Sequence, residues 1–312
     1  MLKVLYASSG MVGEEDESQL PARRLPLVFP GKSMRGQLIR NMRVSKTLRG
    51  KIEISRIDSG KISSHTVYLA RNHDSSSGMI SNWDTTIEQK KIDRQIYNFI
   101  PTKEILVNAP GFLASYENRE LSFDITYKDI LLRAFLQRIR ENTPTYQYLM
   151  DRIKSIIGGD VGQVGEAFFL NTSFGELDFN LVAEGHRKLA LLWLLLQNGS
   201  LAPGSVLFWD EPEANLNPKL MRALVEILLE LQRQGVQIFL ATHHYNILKS
   251  LDLRREPNDK VQYFSFYRDK KRDGVQVSVA DEYLQIKHDP IAEADDELYN
   301  ATIVRELRKQ GQ

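Results

Sequence analysis

Two adjacent carboxylates, Asp210 and Glu211, close the apolar run Val206-Leu207-Phe208-Trp209 and are followed by Pro212. Hydrolysis of a terminal phosphate needs a cation to neutralise charge on the phosphate oxygens and a base to orient and deprotonate a water. Asp210, at the strand end, suits the shell of a Mg²⁺ ion. Glu211, one residue later, suits the attacking water. Strands often end in acidic turns, so the pair alone leaves a structural reading equally open. A second apolar run, Ile238-Phe239-Leu240-Ala241, ends in Thr242-His243-His244. A histidine just past a parallel strand lies on the carboxyl edge of the sheet, where the acids of the neighbouring strand also emerge, so the two can meet around one ligand. His243 is therefore a candidate for contacting a terminal phosphate or the lytic water. His244 reads equally as packing or as solvent-exposed.

The phosphate-holding half of such a site has no counterpart in the 312 residues, which contain no G-x-x-x-x-G-K-[ST] loop. The nearest approach, Pro30-Gly31-Lys32-Ser33, puts Pro26 where the first glycine of the loop belongs. Proline offers no N–H and cannot make the anion-cradling turn.

The elements that would position these residues follow from periodicity. Helix Glu184 to Gln197, strand Ser205 to Asp210, helix Pro218 to Arg233 and strand Gln237 to Thr242 alternate as in a parallel sheet covered by helices. Asn217 fits an N-cap with Pro218 in the first turn, and Gly235 follows the last. Upstream, apolar residues at helical spacing, Ile130, Leu131, Phe135, Leu136 and Ile139, predict one helix over Tyr127 to Ile157, stopped by Gly158-Gly159. Lys51 to Ile57 and Thr66 to Ala70 read as an antiparallel meander, with polar loops over Ser8 to Ser18 and Asn72 to Trp83. Ser33 to Arg43 has a helical period, with Met34, Leu38 and Met42 on one face. From Lys32 to Lys51 there are seven basic residues and no acidic one, which reads as a solvated face or as a phosphate-contacting surface. Beyond His243, strands are expected over Val261 to Tyr267 and Val275 to Val279, with a final helix near Glu297 to Lys309. The acidic run Glu293-Ala294-Asp295-Asp296-Glu297 reads as a helix start favoured by the dipole in preference to a metal site.

Composition narrows the class. The chain is 42% hydrophobic and 26% charged with a formal net charge of +1, so no global field draws it to nucleic acid or to a membrane surface. There is no cysteine, which excludes disulfides, thiolate metal sites and a thiol nucleophile and is compatible with a reducing compartment. No apolar run reaches the ~18 to 20 residues that span a bilayer, and the start lacks a signal-peptide pattern. A cytoplasmic protein is expected.

The run V-L-F-W-D-E-P-E-A-N-L-N-P followed by I-F-L-A-T-H-H resembles the Walker B, D-loop and switch-histidine series of the ABC-type ATPase superfamily. Within it, the likeness is to the SMC and RecF-like branch and to prokaryotic AAA-family ATPases that accompany nucleases in phage defence or DNA maintenance. Ala183-Glu184-Gly185-His186-Arg187, leading into Lys188 to Leu196, resembles the E-G variant of the signature loop and departs from L-S-G-G-Q, against a transporter subunit. The resemblance implies ATP and Mg²⁺ as cofactors, with Asp210 on the metal and Glu211 and His243 catalytic. It also implies a homodimer in which Glu184 and Gly185 contact ATP held by the opposite subunit. Tyr97 to Tyr127 resembles the lead into the lid of these ATPases, without an assignable Q-loop glutamine. The likeness is strong over Tyr97 to Asn246 and weaker on the flanks.

The expected fold is then α/β, P-loop NTPase-like, an ABC ATPase head whose mainly parallel sheet is flanked by helices, with an antiparallel meander and a helical insertion. One head is expected over 1–312: a helical lid over 97–165, the signature, Walker B and switch-histidine core over 166–250, and completing strands and helix over 251–312. Leu2 to Ala7 resembles the continuation of the helix that follows a phosphate loop, so either the reading frame starts upstream of Met1 with the loop and its strand, which is the expectation, or the chain is a natural fragment. Their absence would leave Gln237 to Thr242 an open apolar edge. The expected function is ATP hydrolysis switching a DNA-directed or phage-defence complex, with a nuclease partner and nucleic acid in view and no membrane. About seventy residues after His243 are too few for a fused nuclease domain. The alternative is a non-hydrolysing scaffold of the same fold that binds a nuclease or other effector.

Overall fold

The computed structural model describes residues 1–9, 28, 47–58, 61–72, 83–84, 95–118, 121, 123–269 and 274–310. The Pro30-Gly31-Lys32-Ser33 run, the Ser33–Arg43 period, most of the basic stretch and the body of both polar loops lie outside them. Three parallel strands form the central sheet in the order β4-β8-β9, where β4 is Tyr97–Ile100, β8 is Val206–Asp210 and β9 is Gln237–Ala241. Ile100 stands beside Trp209, and Asp210 beside Ala241, so all three strands end on one edge. Among the described residues β9 is an outer strand, and Ile238 to Ala241 are only half-buried.

Side-chain alternation along β8 divides the core. Leu207 and Trp209 point into the larger apolar cluster, whereas Val206 and Phe208 join Phe99 and Tyr6 on the opposite face. That second face is covered by helix α1 (Leu2–Ser9), whose Lys3 Nζ lies 2.6 Å from Asp124 Oδ2 and whose Tyr6 hydroxyl donates to Asp129 at 2.7 Å. Helices α2 (Phe112–Asn118), α3 (Ile125–Ala134), α4 (Pro144–Ile157), α5 (Glu184–Gln197) and α6 (Pro218–Arg233) follow along the chain. Lys188 to Leu196 are buried without interruption, so α5 is enclosed all round. Helix α6 starts as the residues dictate: Asn217 Oδ1 accepts from Lys219 N at 2.9 Å, and Pro218 occupies the first turn, where its missing N–H costs nothing.

The single helix expected over Tyr127 to Ile157 is two. Helix α3 ends at Ala134 and α4 begins at Pro144, with Thr143 as its cap accepting from Tyr146 N. A proline disfavours helix in the residue before it, and Thr143 is extended, at ψ 156°, which bars one continuous helix through to Ile157 despite the apolar spacing of Leu136 and Ile139. Both lie in the connection, which is tied to the end of α5 by Ile139 N donating to the Gln197 carbonyl at 3.0 Å. Gly158 stops α4 in the left-handed conformation, at φ 84°.

Two further sheets are antiparallel. Strands β1 (Thr47–Asp58) and β2 (Lys61–Asn72) pair from Thr47–Asn72 to Asp58–Lys61, and β3 (Trp83–Asp84) adds to β2, longer than the expected meander but in its place. Strands β5 (Gly159–Val164), β6 (Ala167–Thr172) and β7 (Gly175–Asp178) form the other, leading into α5. After β9 come α7 (Tyr245–Arg254), the hairpin β10 (Tyr263–Arg268) with β11 (Val275–Ala280), and α8 (Pro290–Gln310). Helix α8 starts two turns earlier than expected because Asp289 Oδ1 accepts from Ile291 N and Ala292 N, both at 3.1 Å. No helix among the described residues is long and apolar enough to cross a membrane.

Candidate functional site

Chain segments leave the common edge of β4, β8 and β9 at Thr102, Asp210 and Thr242, and the site is built from these residues and their successors. Asp210 Oδ2 accepts from Thr102 Oγ1 at 3.2 Å. Glu211 N donates to the Ala241 carbonyl at 2.8 Å, extending the β8–β9 ladder by one bond, while Glu211 itself adopts φ 49°. A non-glycine residue in that region is strained and needs support. Lys188, 1% exposed in the middle of α5, supplies it: its Nζ donates to the Ala214 carbonyl at 2.9 Å and reaches the Glu211 carbonyl at 3.4 Å. Burial pulls the Lys188 ammonium below the usual lysine range, and the carboxylates of Glu184, Glu213, Glu211 and Glu104 oppose that shift.

The turn carries a second carboxylate of different character. Glu213 is buried; its Oε1 accepts from Thr242 Oγ1 at 2.6 Å and from His243 N at 3.2 Å. Glu213 thus fixes the backbone from which His243 projects. The imidazole Nδ1 stands 3.4 Å from Glu211 Oε1 and 3.9 Å from Glu213 Oε1, and the ring is 71% exposed while Glu211 is 37% exposed. An open imidazole beside an open carboxylate, both anchored from below, can bind and orient a polar ligand or a water. His244 has a structural role, since its Nδ1 accepts from Asn246 N at 3.2 Å and caps α7.

The start of α5 lies under the same turn. A Cβ on Gly185 would stand 2.8 Å from the Asn215 carbonyl oxygen and 2.9 Å from Leu216 Cδ2, so glycine is required for the close approach of α5 to residues 215–216. Asn215 is left-handed, at φ 61°. Glu184, in the first turn of α5, is half-buried. Arg187 bridges to the loop after β4: its Nε lies 2.8 Å from Glu104 Oε2, and its Nη1 donates to the carbonyls of Phe179 and Val182. Burial pushes the Glu104 carboxyl up, against the Leu106 amide and Arg187, which hold it down. Tyr127 also stands close, its hydroxyl pushed up by burial and then by Asp124, with a smaller push from Asp210.

Asp210, Glu211 and His243 therefore come together at one sheet edge, and Glu184 and Gly185 sit at the helix start packed beneath the same turn. Sequence reasoning assigned no role to Thr102, Glu213 or Lys188. Thr102 follows the short strand Tyr97–Ile100, but its role depends on a contact across to Asp210. Glu213 lies within the D-E-P-E run, but its role depends on a contact across to Thr242. Among the described residues no group of three or more His, Cys, Asp or Glu side chains is arranged to hold a metal by protein ligands alone. Mg²⁺ bound with a nucleotide takes one or two carboxylates, with water and phosphate oxygens completing the shell, and the Asp210–Thr102 carboxylate–hydroxyl pair fits that donor set.

Residues 158–249 match the sequence model of a family described as "AAA domain, putative AbiEii toxin, Type IV TA system". That span contains Gly185, Asp210, Glu211 and His243. Over that span the chain is similar to this family. No curated protein matches it. Among solved structures, the SMC head domain from Thermotoga maritima is 13% identical, covering 69% of this chain and 71% of that one at a TM-score of 0.37. An Smc head domain with an extended coiled coil, bound to the C-terminal domain of ScpA and derived from Pyrococcus furiosus, is 11% identical, covering 98% and 90% at 0.40. An ATP-binding cassette of an ABC transporter in its ADP conformation is 13% identical, covering 67% and 86% at 0.29.

Proposed function

We propose that this chain is the head of an ABC/SMC-like ATPase that binds ATP with Mg²⁺, pairs with a second copy around the nucleotide, and uses hydrolysis to switch a DNA-directed or phage-defence complex in the cytoplasm. The observation that carries the reading is the meeting of Asp210, Glu211 and His243 at the end of β8 and β9, with His243 Nδ1 3.4 Å from Glu211 Oε1. Asp210, with Thr102 beside it, would hold Mg²⁺, which when bound neutralises charge on the phosphate oxygens. Glu211 accepts a proton from water and aims it. His243 donates toward the terminal phosphate, and Glu213 keeps that imidazole in place from beneath. Glu184 and Gly185 act on the nucleotide of the opposing copy. In this reading 97–165 works as the lid, 166–250 as the catalytic core and 251–312 as the completing unit.

The sequence has no G-x-x-x-x-G-K-[ST] loop, so the reading requires the phosphate cradle to come from outside the 312 residues. The same absence favours the second reading, a non-hydrolysing scaffold that holds a nuclease or other effector. Calorimetric titration with ATP, with and without Mg²⁺, separates them when done on this chain and on one extended upstream. The ATPase reading expects Mg²⁺-dependent binding that Asp210→Asn weakens at least tenfold. Nucleotide binding by neither chain leaves the scaffold.

A further inference from the structure

Helix α8 is a 21-residue helix whose large apolar residues find no cover: Leu298 is 69% exposed and Val304 47%. Its charges are largely sorted along its length, with Glu293, Asp295, Asp296 and Glu297 in the first half and Arg305, Arg308 and Lys309 in the second, where Glu306 is the exception and pairs with Lys309 at 2.7 Å. The arrangement is mirrored about Ala301. Three residues to either side stand Leu298 and Val304, four to either side Glu297 and Arg305, and eight to either side Glu293 and Lys309. At 3.6 residues per turn, Ala294, Glu297, Leu298, Ala301, Val304, Arg305 and Arg308 fall within an arc of about 120°. A sequence mirrored in this way on one face is complementary to its own antiparallel copy. Leu298 would meet Val304, Glu297 would meet Arg305 twice over, and the small Ala301 would sit at the crossing, where it lets the two backbones approach.

We propose that α8 pairs antiparallel with α8 of a second copy of this chain, about a two-fold axis at Ala301. This interface is separate from any contact made through nucleotide and goes beyond the ATPase reading. The occupant is a second copy because of the charge pattern: two copies bring each acidic half against a basic half, as a two-fold interface demands. Among the described residues neither Glu297 nor Arg305 has an ion-pair partner within the chain, so both are available across the axis. The opposite side of α8, with Tyr299, Ile303 and Leu307, is flanked by Asp296 and Glu306. Self-pairing there would set carboxylates against carboxylates, which selects the Ala301 side.

Sedimentation equilibrium of the full chain without nucleotide tests the pairing. The wild type should be dimeric at micromolar concentration. Glu297→Arg and Arg305→Glu each turn two attractive contacts into two repulsive ones, so each should weaken the dimer about thirtyfold. The doubly reversed chain, with both substitutions, should regain it. These side chains are exposed, and unchanged helicity by circular dichroism confirms that the variants fold. A monomeric wild type overturns the proposal, even if α8 is then found to bind some other protein. So does a dimer indifferent to the single reversals, or a double variant that stays monomeric. None of these outcomes depends on ATP, so failure here leaves the nucleotide reading standing, and failure of that reading leaves this one.

Discussion

The turn after β8 and the first half of α8 are both crowded with carboxylates, and the fold treats them in opposite ways. In the turn, Asp210 has the Thr102 hydroxyl, Glu211 the His243 ring, and Glu213 the Thr242 hydroxyl and the His243 amide, all above a buried lysine. In α8, Glu293, Asp295, Asp296 and Glu297 stand exposed with nothing to enclose them, and since the helix starts at Pro290 only Glu293 lies in the first turn, where the dipole acts. Acid density is similar in the two places. The turn is distinguished by the scaffold beneath it, which uses burial and backbone strain to hold side chains at defined positions.

Lys188→Met should break the comparison most sharply. It leaves the Ala214 and Glu211 carbonyls without their donor and the buried Glu213 without a nearby cation, and should cost about 3 to 5 kcal/mol in denaturant unfolding. Glu213→Ala comes next, at about 1 to 3 kcal/mol, because the Thr242 hydroxyl and the His243 amide lose their acceptor. Hydrogen exchange at the His243 amide should rise with it. Gly185→Ala sharpens the point from the helix side. The added methyl meets backbone at 2.8 Å, so residues 215–216 must move, at a cost of about 1 to 3 kcal/mol.

An intermediate case lies on α6. Glu226 is pushed up by partial burial, but hydrogen bonds from Arg152, Arg222 and Arg254 outweigh this and bring its carboxyl down to about 2. A carboxyl lowered on folding contributes stability above its unfolded value, near 4.5, and loses it as pH falls from there toward about 2. Because the group is partly open to solvent, the loss should be about 1 kcal/mol after screening. Glu226→Gln should flatten stability between those pH values. Asp296→Ala on α8 should change stability by less than about 0.5 kcal/mol, and a larger loss would dissolve the contrast between the two acidic regions.

Much of the turn's surroundings is legible in the sequence because single residues carry local signals. Asn217-Pro218 marks a helix start, and the uninterrupted apolar run from Leu189 to Leu196 marks a buried helix. Strand ends at Asp210 and Thr242 follow from apolar runs bounded by polar residues. The break between α3 and α4 is hidden because Leu136 and Ile139 continue the apolar spacing beyond the end of α3 at Ala134. Thr102, Glu213 and Lys188 give no local signal. Each acts through a partner across the fold, the Thr102 hydroxyl through Asp210, 108 positions away, and only the packing of β4, β8, β9 and α5 reveals them.

The proposed chemistry rests on Glu211 serving as base to a water at a Mg²⁺–ATP site it shares with Asp210 and His243. Parallel measurement of ATP affinity and single-turnover hydrolysis, for the wild type and Glu211→Gln with the phosphate loop supplied, probes that role without intermediaries. Affinity should stay within about twofold while hydrolysis slows by at least about a hundredfold. Equal hydrolysis by the two proteins would contradict it.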